Sequence, residues 1–246
     1  MHCLSDMSKL LLDMAHFSST ITETQFLCRL ENGLISQNQW REFAVQRYLL
    51  SCKFEELLSA GIKTARENKE NELFATLQSN FNDEKGIDAH GQPTILGPHE
   101  VWREDFYIAL GIEKQTLQNT GPSQGVQIYT NVVQQIIQNK SMLEIGGALL
   151  FLEYNIPLEF LKIKTGRDIT FQDQFEIFTT DSDQIKQRKR KARMYIDHHI
   201  GHDSEQHYPE LLEALKKYLE NQQTLDEIKS GIQKIAEAKK IFYQLL

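Results

Sequence analysis

Glycine and proline are scarce in this chain of 246 residues, at 13 and 5. A β-sandwich or an α/β barrel spends more turn residues than that, so both are disfavoured. No apolar run approaches the roughly 18 residues needed to cross a bilayer. The opening MHCLSDMSKLLLDMAHFSS has no basic region followed by a long apolar core, so no secretory signal is expected. Cysteine is rare and odd in number. Cys3, Cys28 and Cys52 show no C-x-x-C spacing, which argues against a disulfide framework or a zinc ribbon and fits a reducing cytoplasm. Positive charge is not in excess. The formal charge of −7 disfavours a general nucleic-acid binder. No repeat of 20–50 residues and no low-complexity linker divides the chain. What remains is ordinary globular chemistry, 40% apolar and 25% charged. It is read as a single domain over 1–246, with residues 1–20 as a candidate peripheral N-terminal helix.

The periodicity is helical almost throughout. Over 34–58, Trp40, Phe43, Ala44, Tyr48, Leu49 and Phe54 recur at threes and fours, the spacing of one buried face. Leu73, Phe74, Leu77 and Phe81 repeat it over 70–81. Residues 85–98, with three Gly and two Pro, read as a loop. A helix restarts at His99 and runs to a Gly111 cap. Residues 126–138 and 140–154 are predicted helices. The second is apolar nearly all round, hence central, and Pro157 is expected to bend or end it. A short segment over 171–176 precedes TTDSD, which caps a long helix from Ser182 toward Leu219. A last helix covers 225–246. The expectation is one all-α bundle of seven or eight helices.

The densest chemical signal is DHHIGHDSEQH, residues 197–207, with half of the chain's eight histidines. On a straight helix His199, Asp203 and His207 fall at roughly 0°, 40° and 80°, on one face. Imidazole and carboxylate together suit iron or manganese better than thiolate-seeking zinc. His199 and His207 would be about 12 Å apart along the axis, too far for one ion but not for two with Asp203 between or beside them. Pro209 removes the hydrogen bond to residue 205 and bends the helix. More ligands must come from facing helices. Glu153, at the end of the most apolar helix, is costly there unless paired or bound to a cation. Glu84 ends one helix and His99 opens the next, so a loop joining those ends brings them together. His90, within that loop, is the alternative to His99.

The runs LQSNFNDEKG, PHEVWREDFYIALGI, LLFLEYNIPLEF and HIGHDSEQHYPELL, in that order, resemble the heme-oxygenase-like di-iron oxidases and oxygenases. Within them the chain looks closest to the CADD-like branch of the TenA/PqqC-like fold. The resemblance spans about residues 39–219 and implies a seven-helix bundle without requiring heme. Carried over by motif, it implies Glu84, His99, Glu153, His199, Asp203 and His207 as ligands of two iron ions, or of one iron and one manganese, with dioxygen as co-substrate. Members close with H-x3-D-x2-H or, as here, H-x3-D-x3-H. In the CADD-like branch a tyrosine of the protein itself, with a lysine, is implicated as a source of p-aminobenzoate. Tyr48, Tyr154 and Tyr195 are therefore candidates for the pocket, with Tyr48 and Tyr154 taken as the catalytic pair.

The function expected is a non-heme dinuclear iron oxidase or oxygenase, cytoplasmic, acting on a small molecule or on its own side chain, without nucleic acid or membrane and with a homodimer allowed. Three other readings stay open: a TenA-like hydrolase using Cys52, a CADD-like interaction module, and heme binding through His16. The basic run 186–193 is read as a solvated helix face rather than a nucleic-acid patch. Cys52 reads more simply as a buried structural thiol, and His16 as an ordinary surface or core residue.

Overall fold

The computed structural model describes residues 2–95 and 97–246, with side chains from residue 6 onward, so Cys3 lies outside the described side chains. Its helices are α1 (His2–Thr22), α2 (Gln25–Glu31), α3 (Gln37–Glu67), α4 (Asn71–Glu84), α5 (His99–Ala109), α6 (Lys114–Asn119), α7 (Gln124–Asn139), α8 (Met142–Thr170), α9 (Gln172–Phe175), α10 (Asp183–His202), α11 (Tyr208–Leu215) and α12 (Gln222–Gln244). A π-helical turn, Asp203–His207, joins α10 to α11, and a 3₁₀ turn, Lys216–Glu220, follows α11. No β-strand occurs among the described residues, where one isolated bridge pairs Ile87 with Pro93. The class is all-α as expected, with more helical pieces than seven or eight because α2, α6 and α9 are short additions.

α8 is the axis of the bundle. It packs against α12, α2, α3, α10, α11 and α1, and its residues 143–153 are all buried. A helix covered on all sides has no polar face to spare, which is why its sequence reads apolar all round. Pro157 does not end it. The helix continues to Thr170, held by the buried Ile156, Phe160 and Ile163. The proline nitrogen can give no hydrogen bond to the carbonyl four residues back, which is that of Glu153. The closest helix contact is the α8–α12 crossing. A Cβ on Gly147 would strike the Ile228 carbonyl, and one on Gly231 would strike that of Glu144. Leu10, Met14 and Ile21 of α1 are fully buried against this pair.

Caps expected from the sequence are present. Ser182 accepts a hydrogen bond from Ile185 N–H at the start of α10, and Gly111 adopts φ +77° after α5. Ser36 with Gln39 forms a capping box before α3.

Candidate metal centre

Glu84 and His99 are brought together by the loop between them. Gly86 holds φ +62°, and a Cβ there would collide with the Gly97–Pro98 backbone, so only glycine allows the closure. Thr94 N–H donates to the Gly86 carbonyl at 2.8 Å, and Asp88 N–H to that of Gln92 at 2.8 Å. The loop makes a small antiparallel excursion and returns to its start. Its length therefore leaves the end of α4 and the start of α5 side by side. His90 is exposed in the excursion and its backbone N–H donates to Asp88, whereas His99 is 2% exposed and faces Glu84.

The 197–207 stretch is not a regular helix. Tyr208 N–H donates to the carbonyl of Asp203, five residues back, so the turn Asp203–His207 is widened by one residue. Pro209, with no N–H, leaves the carbonyl of Glu205 without its ordinary partner and favours the distortion. The Ser204 hydroxyl donates to the Ile200 and Gly201 carbonyls on the same turn. The widened turn places His207 against Asp203, with Nδ1 at 3.6 Å from Oδ1.

The six predicted side chains fall into two sets of three, each with donor atoms within 4.8 Å of one another: Glu84, His99 and His199, and Glu153, Asp203 and His207. Glu84 Oε1 lies 3.3 Å from His99 Nδ1 and 3.8 Å from His199 Nε2. His207 Nδ1 lies 3.8 Å from Glu153 Oε2. Neither ring nitrogen of the buried His99 has a hydrogen-bond partner. An imidazole buried without partners is costly, and a cation between it and Glu84 removes that cost. The spacings exceed ordinary hydrogen bonds and suit ligands facing a common ion at about 2.0–2.2 Å. The nitrogen and oxygen donors fit iron or manganese.

A surrounding layer orients these groups. His199 Nδ1 contacts the Tyr195 carbonyl at 2.6 Å, which turns Nε2 toward Glu84. Asn80 Nδ2 donates to Glu153 Oε1 at 3.2 Å. Asp83 has no counterpart in the sequence expectation. Its Oδ2 lies 3.5 Å from His99 Nε2, 3.6 Å from His207 Nε2, 3.3 Å from His198 Nε2 and 3.6 Å from His202 Nε2. One carboxylate thus faces the outer nitrogens of a histidine from each set. The signal was an acid immediately before Glu84, readable only once α10 is known to pass that helix end.

Electrostatics mark the site as one that lacks positive charge. Burial would raise the Glu84 carboxyl, yet His99 and His199 hold it well below the usual range. Burial pushes Asp203 well above it, and the charges of Glu153, Glu84 and Asp83 add to the effect. Burial lowers His199. Burial opposes a proton on His99 and on His207, but Glu84 overrules it for the first and Glu153 for the second, and both are raised.

A cavity opens onto the cluster, lined by Glu84, His99, Glu153, His199 and Asp203 and also by Arg47, Tyr129 and Lys239. Tyr195 lines it and meets the His199 ring edge-on at 5.0 Å between centroids. Tyr48 and Tyr154, the expected catalytic pair, do not line it. Tyr48 packs on Tyr107 beneath the Arg103 guanidinium, and Tyr154 on Tyr208. Both lie one helical position from the lining, beside Arg47 and Glu153 respectively, and turn to the flank. Cys52 is half-buried outside the cavity, and His16 is exposed.

Residues 41–240 match a family model described as iron-containing redox enzyme. The chain belongs to this family. Its members' heme-oxygenase-like architecture agrees with the solved structures it is similar to. A TenA homolog from Pseudomonas syringae pv. tomato superposes with a TM-score of 0.74 at 13% identity, over 96% of this chain and 90% of that one. A CADD-like protein of unknown function from Nostoc punctiforme gives 0.73 at 17%, over 99% and 96%. A TenA family transcription regulator from Silicibacter sp. gives 0.61 at 13%, over 98% and 94%. At such identities these likenesses establish the fold alone. No curated protein matches the sequence. Among the described residues no helix is long and apolar enough to cross a membrane.

Proposed function

We propose that this family member is a non-heme di-iron (or mixed iron–manganese) oxidase or oxygenase. Glu84, His99 and His199 would hold one ion and Glu153, Asp203 and His207 the other. The observation that carries the reading is the gathering of these buried or half-buried residues, drawn from α4, α5, α8, α10 and the π turn, into two sets of donor atoms within 4.8 Å of one another, with both ring nitrogens of His99 buried and without a hydrogen-bond partner. An iron pair, when bound, supplies the electrons that dioxygen activation needs.

The chain's own residues do the rest. Asp203 feels the charges of Glu153 in its own set and of Glu84 in the other, so it would be a carboxylate available to both ions. Asp83 Oδ2 faces Nε2 of His99 and of His207, so that Nδ1 of each ring is turned toward the carboxylates of its own set. Leu152, Ile156 and Phe160 supply an apolar part of the cavity wall, beside which an oxidant would meet substrate rather than water. A small organic substrate, rather than Tyr48 or Tyr154, is the favoured reductant, since neither tyrosine reaches the cavity. If a side chain of the protein is itself consumed, Tyr195 and Tyr129 are the candidates, since both line the cavity. The hydrolase reading is weakened because Cys52 lies outside the cavity.

The test is dioxygen uptake by anaerobically purified chain reloaded with ferrous ion. Rapid uptake that falls at least ten-fold in Glu153→Gln and in Asp203→Asn supports the reading. Uptake no faster than that of free ferrous ion contradicts it.

A further inference from the structure

The His207 ring has two working faces. Its Nδ1 turns toward Glu153 Oε2 and Asp203 Oδ1, at 3.8 and 3.6 Å, and its Nε2 turns the other way, toward Asp83 Oδ2 at 3.6 Å. Glu153 and Asp203 line the inner cavity, whereas Asp83, His202 and His207 line a separate groove on the surface. The ring therefore stands as a partition between the two spaces.

The groove runs between α4, the loop 85–98 and the π turn, and holds about 490 Å³, room for a hydrated ion. Its wall carries two carboxylates, Asp83 and Asp88, and among the described residues no lysine or arginine lines it. Asp83 and His202 are both half-buried, so they meet water, and His202 Nε2 lies 3.6 Å from Asp83 Oδ2. Asp83, His202 and His207 each offer a donor atom, the three within 4.8 Å of one another. Solvated histidine–aspartate pairing does not account for the whole arrangement. Nε2 of four histidines faces the one oxygen, Asp83 Oδ2; His198 contacts it at 3.3 Å and the other three stand off at 3.5–3.6 Å. One oxygen has too few lone pairs to serve four N–H donors, whereas a cation among them takes a lone pair from each ligand. Asp83 with His99 and His198 makes a comparable set, but those two histidines do not line the groove. His198 stacks on His202 at 4.5 Å and 29° and steadies the carboxylate from one helical turn away.

We propose that Asp83, His202 and His207 form an outer, water-facing site for one divalent transition-metal cation, and that ions pass through it to the Glu153–Asp203–His207 set. The inference rests on the di-iron reading for the ion's destination, but not for the outer site itself. Two imidazoles and one carboxylate leave coordination positions to water, so a hydrated ion can shed its shell in stages. The inner set offers two carboxylates in drier surroundings, where the attraction to a dication is stronger. The ion moves inward by exchanging Asp83, His202 and its waters for Glu153 and Asp203, while His207 changes from Nε2 to Nδ1 as the ligating atom. No electron or proton transfer is needed for that exchange.

The experiment follows cobalt(II), a stand-in for ferrous ion that resists air oxidation, by its visible absorption. On mixing with metal-free full chain, His202→Gln should take up cobalt at least five-fold more slowly than wild type and reach the same final count. The outer site is then read at equilibrium in Glu153→Ala/Asp203→Ala, where the inner destination is cut. Weak cobalt binding that gel filtration removes is expected there, and adding His202→Gln should weaken it at least ten-fold, with circular dichroism to show that every variant is folded. An uptake rate unchanged by His202→Gln, or weak binding that does not depend on His202, overturns the proposal. So does loss of an ion from the final count of His202→Gln, which would make His202 a ligand of the inner pair. A wild-type chain that retains no ion removes the di-iron reading; the equilibrium titration then decides the outer site alone, by the same dependence on His202.

Discussion

Glu159 is the side chain on which most buried charge depends. It is fully buried and shared by Arg47, Lys239 and Tyr243, which hold its carboxyl down at about 2 against the cost of burial. Glu159→Gln leaves two cations without a counter-charge, and we expect about 3–5 kcal/mol of lost stability by urea unfolding. The sign with pH follows. A carboxyl depressed in the folded state contributes stability above its unfolded value of 4.5, lost as pH falls toward about 2. The gap between wild type and variant should therefore close in strong acid; a gap that persists there would contradict the assignment. Asp203, His99 and His207 behave oppositely, since each holds its proton above its ordinary range. The Asp203 contribution to metal-free stability is present in acid and lost as pH rises. A cation must displace these protons, so metal affinity should weaken as pH falls, and loading should release protons measurable by calorimetry in two buffers. No net proton release would count against ligation by these groups. At this scale the candidate ligands were readable because residue types of one chemistry crowd a short run, and because Glu153 breaks an apolar one. Arg47 and Lys239 left the same kind of trace, each a cation within an apolar helical stripe, but their shared partner Glu159 stands on a third helix and cannot be found by spacing.

Among the elements, the π turn carries the site's register. A straight helix would separate His199 from His207 by about 12 Å and send them to one ion poorly. In the folded chain they belong to different sets, and the widened turn Asp203–His207 absorbs the extra residue between Asp203 and its following histidine. Pro209 signalled a distortion, but its type depends on what packs against the turn, which sequence does not state. Deleting the exposed Gln206 should restore an ordinary helical turn while keeping Asp203 and the following histidine three apart on one face. The variant is expected to retain metal at close to the wild-type stoichiometry; loss of one ion on deletion would show that the π geometry itself is required. Pro157 was misleading for a related reason. A proline removes one hydrogen bond, and burial along both flanks of α8 outweighs that loss. The loop 85–98 was expected to bring two ligand-bearing ends together, but its return through Gly86 follows from backbone contacts rather than from composition.

For the whole molecule, the helical class was legible from scarce turn residues and the 3.6-residue period, and the order of motifs along the chain pointed to the architecture that the solved TenA and CADD-like structures share. The long helices of the bundle exist to carry four distant stretches to one place, with α8 as the common wall. That convergence buries carboxylates and imidazoles in two sets that fold without ions only by forcing protons onto some of them. The most direct test is the metal content of protein purified without chelators and reconstituted with ferrous ion under anaerobic conditions. About two ions per chain, falling to near zero in Glu153→Ala/Asp203→Ala with the helical circular-dichroism spectrum unchanged, is the predicted result. A wild-type chain that stays metal-free after reconstitution would contradict it.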